Sequence, residues 1–122
     1  MGEFLIMSSK ILVVDDSSIM RKMLVKVFEE AGHTIVGMAS SGAEAIKLYK
    51  ELNPDLVTMD ITMRGMDGLT AAREIIAIDS SARVLILSNL DEDKYRDEVN
   101  RIGAIGLANK HNPDHILELV GE

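Results

Sequence analysis

The stretch ILVVDD, residues 11–16, sets the pattern that decides the fold, a short apolar run followed at once by acidic side chains. Three later apolar runs also end in polar side chains: LVTM (56–59) at Asp60, VLIL (84–87) at Ser88 and IGLAN (105–109) at Lys110. Continuous apolar runs are typical of parallel strands that are buried on both faces. Parallel strands end at one edge of a sheet, where ligands bind in open α/β folds. The pattern therefore predicts one pocket that holds carboxylates, a hydroxyl and an ammonium group.

The segments between these runs have helical spacing and helix boundaries. Ser41 and Glu44 form a capping box at the start of the second helix, and its buried stripe is predicted to end at Leu52. Strands are predicted over 10–14, 34–39, 56–60, 83–88 and 105–109, and helices over 17–31, 41–52, 69–78, 92–102 and from Asn112 and Pro113 onward. This alternation predicts an α/β fold, a doubly wound five-stranded parallel sheet with two of five helices on one face and three on the other.

Composition limits the classes of function. The chain has 122 residues, which fits one domain, and its net charge of −7 argues against a nucleic-acid-binding surface. The absence of cysteine excludes disulfides and thiolate metal sites and fits a reducing compartment. No apolar run approaches the roughly 18 residues that span a bilayer. We therefore expect a cytoplasmic protein with no membrane partner.

The first residues are set apart from the predicted domain. MGEFLIM (1–7) lacks the basic region and cleavage site of a signal peptide, and Met7 begins a second plausible start. Residues 1–9 are therefore interpreted as an N-terminal tail whose first six residues are a cloning remnant or a disordered tip. The domain is predicted over residues 10–122.

The polar side chains at the strand ends suit a divalent cation and a phosphoryl group. Asp15, Asp16 and Asp60 supply the carboxylate oxygens that Mg²⁺ prefers, although a helix N-cap role could explain one of the first two. Asp60 can act as a nucleophile toward phosphorus. Ser88 and Lys110 would then stabilise the phosphoryl oxygens. Taken alone, Ser88 is explained equally well as a strand-end hydroxyl, and Lys110 is better explained as a solvated surface lysine, so their value is joint. The three histidines do not form a predicted metal site, and His33 is expected to lie in solvent.

Four motifs together carry a family resemblance: ILVVDDSSIMRKML (11–24), PDLVTMDITMRGMDG (54–68), VLILSN (84–89) and GAIGLANK (103–110). Over residues 10–120 the chain resembles the response-regulator receiver domains of two-component signalling, and within them the chemotaxis CheY-like subgroup. The resemblance implies the flavodoxin-like strand order 2-1-3-4-5. It also implies that Asp60 is the phosphoacceptor, that Asp15, Asp16 and the Thr62 backbone carbonyl organise Mg²⁺, and that Ser88 and Lys110 hold the phosphoryl group.

The implied function is that of a phosphorylatable switch rather than an enzyme. A sensor histidine kinase would phosphorylate Asp60 in a Mg²⁺-dependent step, and the domain would assist its own phosphorylation and dephosphorylation. An output protein would recognise the surface of the fourth helix, fifth strand and fifth helix.

Three positions depart from the family pattern and keep alternatives open. Arg64 and His111 stand where the family usually has proline, and Leu107 stands where it usually has an aromatic ring. We expect Leu107 to stay packed and the Lys110–His111 bond to be trans, because a cis bond without proline costs about 2.5–4 kcal/mol. The alternatives are a pseudo-receiver that binds partners without phosphorylation, a receiver fragment of a longer regulator, and a Mg²⁺-dependent phosphatase. Such a phosphatase would normally need a general acid two residues after the nucleophile, and Thr62, which stands there, is not one.

Overall fold

The computed structural model describes residues 8–89 and 93–121 of the chain. Strands and helices alternate in the order β1 (Lys10–Val14), α1 (Ser18–Glu30), β2 (Thr34–Ala39), α2 (Gly42–Leu52), β3 (Leu56–Asp60), α3 (Gly68–Ile78), β4 (Val84–Ser88), α4 (Asp93–Ile102), β5 (Gly106–Asn109) and α5 (Pro113–Gly121). The tail residues 1–7 and the predicted start of the fourth helix at residue 92 lie outside the described residues.

All five strands are parallel and form one sheet in the order β2-β1-β3-β4-β5, which confirms the predicted fold and strand order. In the register of the sheet, Val14 lies beside Met59, and Ser88 lies beside Asn109. The polar side chains that follow β1, β3, β4 and β5 therefore leave the sheet at the same edge.

Two hydrophobic clusters cover the two faces of the sheet. On one face α1 and α5 bury five side chains, Met20, Leu24, Phe28, Ile116 and Val120. On the other face α2, α3 and α4 bury Ala45, Tyr49, Leu69, Ala71, Ala72, Ile75 and Val99. The central strands β1, β3 and β4 contribute apolar side chains to both clusters, as strands buried on both faces must. The predicted division into two helices and three helices is confirmed.

The differences from prediction lie at helix and strand ends. Ser17 is the N-cap of α1 instead of its first residue, and β4 and β5 begin one residue later than predicted. The Glu44 carboxylate reaches back to the N–H of Ser40, 2.8 Å away, one residue before the N-cap Ser41. Leu52 is exposed, contrary to prediction, because the last turn of α2 runs alongside Gly37 on the edge strand β2, where no further strand covers it.

His33 is half-buried, so the expectation that it lies in solvent is wrong. Its Nδ1 accepts a hydrogen bond from the Ser9 N–H at 3.0 Å, and its ring packs edge-on against Phe28. The imidazole thus fastens the residue before β1 to the turn before β2.

Thr58, in the centre of β3, is fully buried, and no hydrogen-bond partner for its hydroxyl oxygen exists among the described residues. We expect Thr58→Val to raise the free energy of unfolding by about 1 kcal/mol, because valine fills the same space without an unsatisfied polar atom. Urea unfolding measures the change. Thr70→Val is the control, because the Thr70 hydroxyl is bonded to Asp67 at 3.3 Å and its loss should lower stability. A loss of stability in Thr58→Val would contradict the assignment.

Among the described residues, every helix falls short of the length and apolar character that a membrane span requires.

Candidate functional site

Four of the five buried polar side chains in the described part of the protein lie at the C-terminal edge of the sheet. Asp15, Asp60, Ser88 and Lys110 are each at most 7% exposed, whereas Asp16 is exposed. The four buried side chains lie at the ends of four different strands, β1, β3, β4 and β5. Because charged groups are rarely buried without partners, this edge is the strongest candidate for a functional site.

The loop between β1 and α1 is fixed by hydrogen bonds at several points. The Asp15 N–H donates to the Ala39 carbonyl at 3.1 Å, and Asp15 Oδ1 accepts from the Ser17 N–H at 2.9 Å. Ser17 caps α1, since its hydroxyl accepts from the Met20 N–H at 3.3 Å. The N-cap explanation of the acidic pair is therefore wrong, and both aspartates remain for another role.

Arg21 also fixes this loop, a role that was not predicted from the sequence. One guanidinium nitrogen donates a hydrogen bond to the Asp15 backbone carbonyl at 2.7 Å. Charge-assisted hydrogen bonds of this length are stronger than neutral ones. The first turn of α1 thus holds the acidic loop against the end of β1.

Lys110 joins the two buried carboxylates. Its Nζ lies 3.1 Å from Asp15 Oδ2 and 3.3 Å from Asp60 Oδ1. Because all three side chains are almost fully buried, the ammonium offsets carboxylates that water cannot reach. Lys110 is therefore part of a buried ionic cluster and not the solvated surface lysine that was the alternative.

The three aspartates fit a hard divalent cation. Carboxylate oxygens of Asp15, Asp16 and Asp60 lie within 4.8 Å of one another, close enough for a single ion to contact all three. Thr62 lies in the loop after β3, and its N–H donates to Asp60 Oδ1 at 3.4 Å, which brings its backbone to the same site.

Burial, together with repulsion from the Asp15 carboxylate, raises the pKa of Asp60 from its ordinary value of 3.8 to about 6. Lys110 and the Thr62 N–H act in the opposite direction and only partly offset these effects. In the folded protein Asp60 thus binds its proton more tightly than in the unfolded chain. This contribution to stability is fully present below pH 3.8 and is lost as the pH rises toward 6.

We therefore expect Asp60→Asn to stabilise the metal-free protein by about 2 kcal/mol at pH 8, because asparagine carries no charge to desolvate. The gain should shrink as the pH falls through about 6. Urea unfolding in the presence of EDTA across this pH range measures it, and Asp97→Asn on the exposed surface of α4 should show no such trend. A pH-independent difference would contradict the argument.

Ser88 ends β4 beside Asn109 and is buried at the same edge of the sheet. The structure therefore brings together every residue predicted for the site. The histidines stay apart from it: His111 follows Lys110 but is exposed, and its N–H donates to Asn109.

Gly68 contributes to the site through its backbone. Its N–H donates to the Ile61 carbonyl at 3.0 Å, and a Cβ at this position would overlap the Asp60 carbonyl oxygen. The start of α3 therefore lies directly against the residue that carries the candidate nucleophile. The GMDG sequence (65–68) signalled a loop, but this close approach was not predicted.

The three departures from the family pattern lie around this site. Leu107 is 4% exposed and packs in the cluster under α2, α3 and α4, and Arg64 is exposed. The described residues contain no cis peptide bond, so the Lys110–His111 bond is trans as expected.

The chain matches known proteins in both sequence and structure. The family model of the response regulator receiver domain matches residues 11–121. The chain belongs to this family. Chemotaxis protein CheY of Thermotoga maritima is 38% identical over 117 residues, and CheY of Bacillus subtilis is 39% identical over the same length; each match spans 95% of this chain and 98% of the relative. The CheX–CheY–BeF₃–Mg²⁺ complex from Borrelia burgdorferi contains a chain that is 35% identical, with a TM-score of 0.86, over 91% of this receiver domain and 85% of the matched chain.

Receiver domains are phosphoacceptor modules of two-component signalling and not enzymes that turn over a separate substrate. The phosphatase alternative therefore does not apply. Receiver domains also bind Mg²⁺ at an acidic pocket, and the cluster of Asp15, Asp16 and Asp60 has the composition of such a pocket.

Proposed function

We propose that this receiver domain accepts a phosphoryl group on Asp60 from the phosphohistidine of a sensor kinase and then changes its affinity for an output protein. The observation that supports this best is the buried cluster in which Lys110 Nζ lies within 3.3 Å of both Asp15 and Asp60. A buried cation held beside a buried carboxylate can stabilise the negative charge that develops when that carboxylate is phosphorylated. The proposed domain covers residues 10–122, in a cytoplasmic protein.

The proposed step forms an oxygen–phosphorus bond at Asp60 and breaks the nitrogen–phosphorus bond of the donor, whose imidazole leaves. Lys110, already 3.3 Å from Asp60 Oδ1, would pair with the incoming phosphoryl oxygens, and the Ser88 hydroxyl would donate to another. The same groups would favour later attack by water on the acyl phosphate, so the domain would assist its own dephosphorylation.

Mg²⁺ would be held by the carboxylates of Asp15, Asp16 and Asp60 and by the Thr62 backbone carbonyl. When bound, the ion supplies positive charge that offsets the negative charge of the phosphoryl oxygens.

We expect Asp16→Asn to weaken Mg²⁺ binding by at least roughly 10–100-fold, because even the loss of a residue that only orients a metal ligand costs that much affinity. Asp16 is exposed, so its replacement should leave the fold intact. Calorimetric titration with Mg²⁺ measures the affinity, and Asp97→Asn controls for the loss of one negative charge elsewhere. Equal affinities for Asp16→Asn and the parent protein would remove Asp16 from the site.

The proposed function is tested by intact mass spectrometry after incubation with acetyl phosphate and Mg²⁺. We expect one added phosphoryl group on the parent protein and on Asp97→Asn, and none on Asp60→Asn. Circular dichroism of Asp60→Asn confirms that the variant is folded. An unlabelled parent protein would favour the pseudo-receiver alternative.

The output switch is proposed to differ from that of the aromatic-bearing receivers. In those receivers the ring is expected to change rotamer on phosphorylation. Leu107 has neither a ring nor a hydroxyl and is already buried, so a change of its rotamer would bring no new contact. We infer that Ser88 moves toward the phosphoryl group and carries the segment after it, which changes the surface of α4, β5 and α5. A pair of structures with and without beryllofluoride tests this, and a large Leu107 rotamer change beside a static Ser88 would refute it.

A further inference from the structure

A second concave site lies between α3 and α4, next to the phosphoacceptor loop. This α3–α4 pocket has a volume of about 310 Å³ and is formed by the loop Ile61–Met63, by Leu69 and Arg73 of α3, and by Tyr95 and Glu98 of α4. Its volume lies at the small end of the range of ligand-binding pockets. None of the roles proposed for the acidic site uses it.

The pocket has an apolar floor and a charged mouth. Ile61, Met63 and Leu69 form the floor and are each at most 8% exposed, and the half-buried ring of Tyr95 stands beside them. At the mouth, Arg73 Nη2 lies 3.2 Å from Glu98 Oε2, and both side chains are about half exposed. A ligand would therefore need an apolar body and a polar head.

The charges favour a cationic head. Asp67 and Glu98 place two carboxylates on the pocket, whereas Arg73 is the single cation among its described lining residues and is already paired. Thr62, which also lines the pocket, belongs to the acidic site, and the whole chain carries a net charge of −7. An anion would be repelled by the carboxylates of the pocket and by the acidic site beside it. A cation could instead replace Arg73 as the partner of the Glu98 carboxylate.

Tyr95 adds a surface suited to a flat cation. Lys94 Nζ lies 5.5 Å from the centroid of this ring, within the range of a cation–π contact, so a bound cation would stack on the ring in place of the Lys94 ammonium. We propose that the α3–α4 pocket binds an amphipathic cation, a flat or apolar body with an amidinium or guanidinium head. A free small molecule and an arginine side chain of a partner protein share this chemistry.

The binding test is titration of the metal-free ¹⁵N-labelled protein with benzamidine, followed by two-dimensional NMR. We expect saturable shifts of the amides of Ile61, Thr62, Tyr95 and Glu98. Benzoate, with the same ring and the opposite charge, should bind at least about twofold more weakly, in the range of one exposed ion pair. Equal binding of benzoate, or shifts that map elsewhere, would overturn the proposal. N-acetyl-arginine amide, titrated in the same way, separates the two sources: binding tighter than that of benzamidine would assign the site to a partner's arginine, and weaker binding would assign it to a free small molecule.

Two variants change the affinity in opposite directions. Glu98→Gln removes the carboxylate that the cation would meet and should weaken benzamidine binding by about two- to fivefold. Arg73→Gln removes the internal competitor for Glu98 and should strengthen it. Asp97→Asn lies next to Glu98 on α4 but outside the lining, and should have little effect. A reversed order of Glu98→Gln and Arg73→Gln would overturn the proposal.

Occupancy should also affect the acidic site, a consequence that rests on the proposed function. Thr62 lines the pocket and its N–H donates to Asp60 Oδ1, so a bound ligand contacts the loop that adjoins the phosphoacceptor. Linkage requires that benzamidine affinity then change when Mg²⁺ and beryllofluoride bind. An unchanged affinity in the presence of a formed adduct would refute the coupling. Failure to form the adduct would instead contradict the proposed function, while the titration of metal-free protein would still test the pocket.

Discussion

Replacement of Lys110 by alanine is expected to lower the free energy of unfolding of the metal-free protein by about 3–5 kcal/mol at neutral pH. The reason is that Asp15 and Asp60 would remain buried without the ammonium that lies 3.1 and 3.3 Å from them. Because total stabilities are about 5–15 kcal/mol, this is a large fraction. Urea unfolding in the presence of EDTA measures the loss.

Two further variants separate charge from packing in this cluster. Lys110→Met keeps an apolar stem of similar length and should lose nearly as much stability as the alanine variant, since the charge matters most. The double variant Lys110→Ala with Asp60→Asn should recover much of the loss, because one buried carboxylate is gone. Mg²⁺ should also restore part of it, since a ligand that binds only the folded state stabilises it. A double variant no more stable than Lys110→Ala would show that the ionic cluster is not the cause.

Gly68→Ala is expected to be the most damaging single-methyl change at the site, with a loss of about 3 kcal/mol in the free energy of unfolding, the upper end of the usual cost of overpacking. The added Cβ would overlap the Asp60 carbonyl oxygen and lie 3.0 Å from Ile61 Cα. These are backbone atoms, so no side chain can rotate away to make room. The start of α3 or the end of β3 must move, and labelling of Asp60 by acetyl phosphate should slow as well.

Gly65→Ala is the matched control, because it makes the same change in the same loop. An added Cβ there meets nothing within 4 Å, but the residue has a φ of +76°. Left-handed backbone costs a residue with a Cβ about 1–2 kcal/mol, so Gly65→Ala should lose stability without slowing Asp60 labelling. If Gly65→Ala proved as damaging as Gly68→Ala in both measurements, steric contact with Asp60 would not explain the effect.

The sequence predicted most of the architecture because the signals for it are local. Each buried strand is a continuous apolar run, and each run ends beside the polar residue that the structure places at the sheet edge. Helix boundaries depended on single residues such as Ser41 and Asn112, whose side chains cap α2 and α5 as predicted. The prediction that Leu52 is buried was wrong. Its burial depends on whether another strand lies beyond β2, and the local sequence does not show which strand forms the edge of the sheet.

By itself the sequence determined the five-stranded parallel fold, the shared edge of the strand ends, and which carboxylates, hydroxyl and lysine meet there. Only the tertiary structure decided how those groups are paired. It placed Lys110 between Asp15 and Asp60, raised the pKa of Asp60, held the acidic loop through Arg21, and closed Gly68 against Asp60. The reason is physical: the periodicity of apolar residues predicts the elements and their succession along the chain, whereas the strand order was implied by the family resemblance. Burial, distances of about 3 Å and the approach of one backbone to another arise only when elements distant in sequence pack together.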